Sequence, residues 1–157
     1  MGARMNSRLL AAVGPLGASL MIMTGCIDVN GGAVELSWTI RAVEGDQRQR
    51  HCQDASGHGP IGAVRLVANQ VECGAGCAER RPAPWACDDY HGTTRFEIPE
   101  GKWSLAIAVQ CQNGTDATEP GVRVPDPIVR DIRFGEVAQL NALIILLDEQ
   151  QPICAAM

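Results

Sequence analysis

Three stretches of the chain alternate apolar and polar residues one by one, and this pattern most limits the fold. Residues 33–40 (AVELSWTI) and 103–111 (WSLAIAVQC) alternate throughout, and residues 61–69 (IGAVRLVAN) alternate in part. Successive side chains of a β-strand point to opposite faces, so a period of two is typical of a strand with one buried face. The inward residues are expected to be Val34, Leu36, Trp38, Ile40, Val64, Leu66, Trp103, Leu105, Ile107, Val109 and Cys111.

Turn signals and weaker strand patterns fill the rest of the chain. Thr94, Phe96 and Ile98 share a face before a turn at residues 99–101, and Asn113-Gly114 favours a tight hairpin turn. Two prolines in residues 124–134 predict an edge or broken strand. Residues 137–147 fit either a buried strand or a helix, and we favour the strand. Short strands separated by turns predict an all-β sandwich.

The first 25 residues have the pattern of a cleaved export signal. Arg4 and Arg8 precede an uncharged apolar run from Leu9 to Ile22, which ends in small residues. A transmembrane helix needs about 20 apolar residues, and this run is shorter and contains Pro15. We therefore expect a signal peptide at residues 1–25, a tether at 26–32 and one β-sandwich domain at 33–157.

Met23-Thr24-Gly25-Cys26 resembles the lipobox of bacterial lipoproteins. The resemblance implies cleavage before Cys26 and a diacylglyceryl group on its sulfur. The alternative is a free or disulfide-bonded Cys26 after ordinary cleavage. Ile27 rather than aspartate follows the cysteine, and in enteric bacteria this favours the outer membrane. The expected location is thus the cell envelope, with membrane attachment through the lipid.

Seven cysteines become six if Cys26 carries the lipid. An even number in an exported chain predicts disulfides, here three. Sequence alone does not choose among the pairings. We favour Cys52–Cys87, Cys73–Cys77 and Cys111–Cys154, with residues 71–91 forming a long loop held by these bonds.

Two segments resemble the carboxypeptidase regulatory-like, or transthyretin-like, β-sandwich. GPIGAVRLVA, at residues 59–68, is similar to its early strand, and FEIPEGKWSLAI, at residues 96–107, is similar to its signature hairpin. The combination of lipobox, strand, cysteine loop and hairpin also resembles uncharacterised lipoproteins of myxobacteria. These resemblances imply a binding or structural module and carry over no catalytic residue.

Candidate chemistry concentrates in the cysteine loop. Cys73, Cys77, Cys87 and His91 form an adequate zinc ligand set, but only as reduced thiols. Trp85 lies in the same loop and is the candidate contact residue for a ligand. His58 and His91 with loop carboxylates would be the catalytic groups of a small hydrolase, which is the enzyme alternative. No serine has the context of a nucleophile elbow.

The net charge argues against two classes of partner, nucleic acid and anionic lipid. The whole chain has 13 basic and 18 acidic residues, and two of the basic residues lie in the leader. An acidic chain without a basic run is unsuited to nucleic acid or to electrostatic docking on anionic lipid. The expected function is a non-catalytic envelope module without a cofactor, which binds a protein or glycan or serves a structural role.

Overall fold

The protein is an all-β molecule built from two sheets. The computed structural model describes residues 29–43, 49–53, 60–73, 76–117 and 119–154. Within these ranges there is no α-helix, and the one helical element is a single 3-10 turn at Cys87–Asp89. The all-β prediction and the two-sheet arrangement are therefore confirmed.

Sheet 1 contains the first and last long strands of the domain. Its strands are β1 (Ala33–Ala42), β2 (Gln49–Arg50), β6 (His91–Thr93), β8 (Val122–Arg123) and β10 (Val137–Leu147). Their order is β2-β1-β10-β8, and β6 pairs with β1 beside β2. β1 and β10 run parallel, while the other pairs are antiparallel. Residues 137–147 are thus a strand, as favoured from the sequence.

Sheet 2 is antiparallel throughout. Its strands are β3 (Ile61–Gln70), β4 (Glu79–Arg80), β5 (Trp85–Ala86), β7 (Gly101–Cys111) and β9 (Ile128–Ile132). Their order is β4-β3-β7-β9, and β5 also pairs with β3. β9 lies at the end of this order, so the prolines before it mark an edge strand, as predicted.

The inward faces of the two sheets form one core. All the inward positions expected in β1, β3 and β7 are buried, with Trp38 and Trp103 at 1% and 0% exposure. The indole Nε1 of Trp38 donates to the Cys87 carbonyl at 3.0 Å, and that of Trp103 donates to the Pro99 carbonyl at 2.8 Å. Both tryptophans therefore bury a large apolar surface with the polar atom satisfied.

Three sequence expectations need correction. Residues 71–91 are not a loop throughout, because β4 and β5 add to β3 there. The turn at residues 99–101 joins β7 of sheet 2 to a segment bridged to Gly32 of sheet 1, so it is not a hairpin of paired strands. Gln110, placed outward by alternation, is 8% exposed because its amide contacts Arg65 and Asp116.

Three disulfides connect the parts of the sandwich. They join Cys52 to Cys87, Cys73 to Cys77 and Cys111 to Cys154, which are the pairs favoured from the sequence. Cys52, Cys87, Cys111 and Cys154 are buried, whereas Cys77 is exposed. Two disulfides thus belong to the core, and the third closes a short surface loop.

The sandwich has two distinct ends. At the end where β1 starts, called the proximal end, Gly32 donates to the Ile98 carbonyl at 2.9 Å and Gly135 donates to the Gly31 carbonyl at 3.0 Å. A Cβ on Gly31 would lie 2.1 Å from the Ile98 carbonyl oxygen, so only glycine permits this approach. At the opposite, distal end lie β2, β8 and the turn at Asn113-Gly114.

In the part of the chain that the structure describes, no helix has the length and hydropathy that crossing a membrane requires.

Candidate functional site

Three polar side chains from three strands meet on the outer face of sheet 1. His91 Nε2 of β6 lies 2.8 Å from Glu35 Oε1 of β1, and Gln139 Nε2 of β10 donates to Glu35 Oε2 at 3.2 Å. The strand register produces this cluster, since Glu35 pairs directly with Gln139 on one side and Thr93 on the other. We call these three residues the Glu35 cluster.

A β-bulge opens a depression beside the Glu35 cluster. Leu36 pairs with Leu140 and Trp38 pairs with Leu143, so two residues of β10, Asn141 and Ala142, face Ser37 alone. Bulges bend a strand and re-aim its side chains, and they are common next to functional sites. The resulting depression has a volume of about 210 Å³. It is lined by Glu35, Leu36, Ser37, His91, Gln139, Leu140, Asn141 and Ala142.

The backbone before β6 fixes the position of His91. Tyr90 ends the 3-10 turn with φ 53, a left-handed conformation uncommon for a bulky residue. Its carbonyl accepts a hydrogen bond from the Trp38 amide at 3.1 Å. The Cys52–Cys87 disulfide and the Trp38 indole bond hold the start of this turn. His91 therefore enters sheet 1 from a rigid support.

The electrostatics of the Glu35 cluster favour a carboxylate. The hydrogen bond from His91 and, next, that from Gln139 lower the pKa of Glu35 below its ordinary value. Hydrogen bonds to the charged form of an acid act in this direction. The side chains of His91 and Glu35 are 52% and 35% exposed. The cluster thus presents a carboxylate, an amide and an imidazole to a polar ligand from solvent.

Trp85 forms a second depression on the other side of β6. It is half-buried, and its indole Nε1 donates to the Thr93 carbonyl at 3.3 Å. A Cβ on Gly92 would lie 2.2 Å from Cδ2 of this ring, so the indole packs on bare backbone. The depression, of about 300 Å³, is lined by Ala83, Pro84, Trp85, Thr93, Arg95 and Glu97. The sequence candidate Trp85 thus lies in a cleft and also packs against the core, 6.1 Å from Trp38 between ring centroids.

The zinc alternative does not match the structure. Cys73 and Cys77 are bonded to each other, and Cys87 is bonded to the distant Cys52, so none presents a thiolate. His91 contacts Glu35 instead. Among the described residues, no three histidines, cysteines or acidic residues are grouped as a metal site would require.

Cys26 and His58 lie outside the described residues. His91 reaches a carboxylate, that of Glu35, a residue that the sequence pattern does not single out. Gln139 was missed as well, because only the parallel pairing of β1 with β10 brings it close.

No family model matches this chain, and neither does a curated protein or a solved structure.

Proposed function

We propose that the protein is a lipid-anchored module of the bacterial cell envelope, which binds a protein or glycan and catalyses no reaction. The lipobox-like motif at residues 23–26 and the leader before it support this location in the cell envelope. The three disulfides support an oxidising compartment outside the cytoplasm. An outer-membrane location follows from Ile27 by the enteric sorting pattern.

The observation that carries the binding role is the Glu35 cluster at the β-bulge. It presents a carboxylate, an amide and an imidazole on a rigid sheet, which suits recognition of hydroxyl or amide groups. The adjoining Trp85 cleft adds an aromatic surface beside Arg95 and Glu97. His91 lines the first depression and Thr93 lines the second, so both adjoin β6.

The openness of the cluster favours binding over catalysis. Hydrolytic sites exclude water and place donors around the reacting atom. Here the histidine is more than half exposed, and the depression is shallow and polar. His91 Nε2 contacts Glu35 rather than Ser37, although Ser37 is its register partner. These features support a proposal of recognition rather than of catalysis.

For the finer fold, we propose the carboxypeptidase regulatory-like, or transthyretin-like, type of sandwich. The segment similar to its early strand forms β3, and the segment similar to its hairpin contributes to β7. The two-sheet arrangement supports the proposal. The turn at residues 99–101, which passes between sheets, is the main departure.

The binding role is tested by photo-crosslinking and co-purification from membranes of the host. Glu35→Gln and Trp85→Phe should each reduce partner recovery at least several-fold relative to the native chain. Glu149→Gln is the matched control, because Glu149 is also an exposed glutamate in an ion pair, with Arg50 at 3.0 Å, but lies at the distal end. Equal recovery in all variants would place the binding surface elsewhere.

The hydrolase alternative rests on one specific observation, the 2.8 Å contact between His91 and Glu35. It predicts turnover of an ester, amide or glycoside that scales with protein concentration and is lost in His91→Ala. Loss of turnover in that variant, with partner binding retained, would replace the binding proposal. Activity lost in His58→Ala instead would move the site to the other histidine candidate.

A further inference from the structure

The proximal end of the sandwich is the end nearest the lipid-bearing cysteine. The backbone is already fixed at Asn30, whose amide donates to the Phe96 carbonyl at 2.9 Å. Four residue steps separate Asn30 from Cys26, and a fully extended chain covers at most about 3.5 Å per step. At most about 14 Å of backbone therefore connects this end to Cys26. Acyl chains on Cys26 would hold the proximal end at the bilayer surface.

This end presents apolar side chains to solvent. Phe134 lies in the turn between β9 and β10 and is 61% exposed, and Val137 follows it at 43%. The turn is closed by a hydrogen bond from Glu136 to the Arg133 carbonyl, and Gly135 adopts φ 73. Gly135 also donates to the Gly31 carbonyl, which ties the turn directly to the segment leading from Cys26. Phe134 is therefore held beside the tether.

We propose that Phe134 and Val137 insert into the interfacial region of the bilayer beside the acyl chains of Cys26. This inference rests on the lipid anchor of the proposed function. The occupant of the apolar surface is a membrane because the tether is too short to carry this surface far from one. Because the lipid anchor tethers the domain, Phe134 stays close to the bilayer at a high effective concentration. A single aromatic side chain can therefore bind the membrane even though its own affinity is weak.

Charge at the proximal end fits apolar insertion better than electrostatic docking. Arg133 pairs with Glu136 at 4.0 Å, and Lys102 pairs with Glu72 at 2.5 Å. The nearby acidic residues Glu100 and Asp131 leave no excess of positive charge to attract anionic lipid. Contact with the bilayer should therefore be insensitive to salt.

A second copy of the chain is a poorer occupant for this surface. Stable protein interfaces bury about 800 Å² on each partner, with aromatic residues at the centre of a larger patch. One phenylalanine and one valine, bordered by paired charges, are far from such a patch. Oligomerisation through Phe134 is one of the outcomes that the experiment separates.

The experiment places a fluorescent probe at each end of the acylated full-length protein. Phe134→Trp puts an indole at the proximal end, and Val124→Trp puts one at the distal end, where the native valine is 39% exposed. Both proteins are reconstituted into vesicles of phosphatidylethanolamine and phosphatidylglycerol, with and without brominated acyl chains. The unsubstituted protein gives the background from Trp38, Trp85 and Trp103.

The proposal predicts that brominated lipid quenches the emission added at position 134 by at least half. Emission added at position 124 should be unchanged, and high salt should alter neither result. Equal quenching at both positions, or none at position 134, overturns the proposal. Quenching at position 134 that disappears on dilution of protein in the vesicles would indicate contact between copies and would also overturn it.

A mass measurement keeps this failure separate from failure of the proposed function. If the purified chain starts at Cys26 and carries acyl mass, absence of quenching refutes insertion alone. If the chain lacks acyl mass, the lipid anchor itself is wrong and the inference falls with it. Phe134→Ser should preserve the unfolding midpoint, because the side chain is largely exposed, and should change only the orientation of the domain on the vesicle.

Discussion

His91 Nε2 lies 2.8 Å from Glu35 Oε1, although 56 residues separate the two in the chain. The contact exists because β6 pairs with the outer edge of β1 and directs both side chains away from the core. A buried disulfide and a buried indole hold the turn that precedes His91. The position of a solvent-exposed pair is thus determined by the core beneath it.

Removing His91 should raise the pKa of Glu35. The His91 hydrogen bond is the largest cause of the lowered pKa, and the Gln139 bond is the second. We expect His91→Ala to move the pKa toward its ordinary value and Gln139→Ala to produce a smaller shift in the same direction. NMR titration of the Glu35 carboxyl carbon measures both. An unchanged pKa in His91→Ala would contradict the geometry.

The lowered pKa of Glu35 also predicts how the stability of the fold changes with pH. Glu35 has a lower pKa in the folded state than in the unfolded state. Its ionised form therefore stabilises the fold above the ordinary pKa of glutamate, about 4. This contribution to the free energy of unfolding is lost as the pH falls through the folded-state pKa. Urea midpoints of the native chain and Glu35→Gln should therefore differ at neutral pH and converge as the pH falls through the folded-state pKa of Glu35. A constant difference would exclude Glu35 as the titrating group.

Gly92→Ala should destabilise the protein by about 1–3 kcal/mol, as overpacking of a filled site does. The new methyl group would meet the Trp85 ring at 2.2 Å. Combining Gly92→Ala with Trp85→Ala should remove most of this penalty, since the clash then has no partner. Urea unfolding of both single variants and the double variant tests this. Additive effects would mean that Gly92 matters for another reason.

The three disulfides should differ in both reactivity and stabilisation. Cys73–Cys77 joins residues four apart and includes an exposed sulfur, whereas Cys52–Cys87 and Cys111–Cys154 span 35 and 43 residues and are buried. Loop-closure entropy predicts that the short loop raises the free energy of unfolding by about 2 kcal/mol and that each long loop raises it by about 4 kcal/mol. Mild reductant followed by alkylation and peptide mass mapping should label Cys73 and Cys77 first. Simultaneous labelling of all six cysteines would instead show global unfolding.

Trp38→Phe should cost about 2–4 kcal/mol, because it leaves a cavity and removes the donor to the buried Cys87 carbonyl. The half-exposed neighbour Thr39 points to the other face, so Thr39→Ala should change stability by no more than about 0.5 kcal/mol. Chemical denaturation compares the two variants. A small effect of Trp38→Phe would show that Cys87 finds another donor.

Much of the fold follows from alternation in the sequence. The inward residues of β1 and β7 could be predicted because each strand keeps one face in the core for about ten residues. β4 and β5 could not, since two residues are too few to display a period. Gln110 is buried although alternation places it outward, because Arg65 and Asp116 bond to its amide and cover it.

The candidate site was less predictable than the fold. Trp85 and His91 were identified as unusual loop residues, but their partners depend on pairing between distant strands. Glu35 and Gln139 look like ordinary outward residues of two strands and meet only through the parallel register of β1 with β10. The bulge at Asn141 and Ala142 opens the depression. It could not be predicted, because these residues lie in a largely apolar run without a sequence pattern that indicates a bulge.

The parallel pairing of β1 with β10 has a consequence for biogenesis. β1 remains without its main partner until β10, the last of the described strands, has been synthesised. The Cys111–Cys154 disulfide likewise forms only after Cys154, which follows β10, has been synthesised. A chain that ends before β10 therefore leaves this edge of β1 unpaired, a state that proteases and chaperones can recognise. Synthesis of β10 is thus the step that commits this domain to its native state.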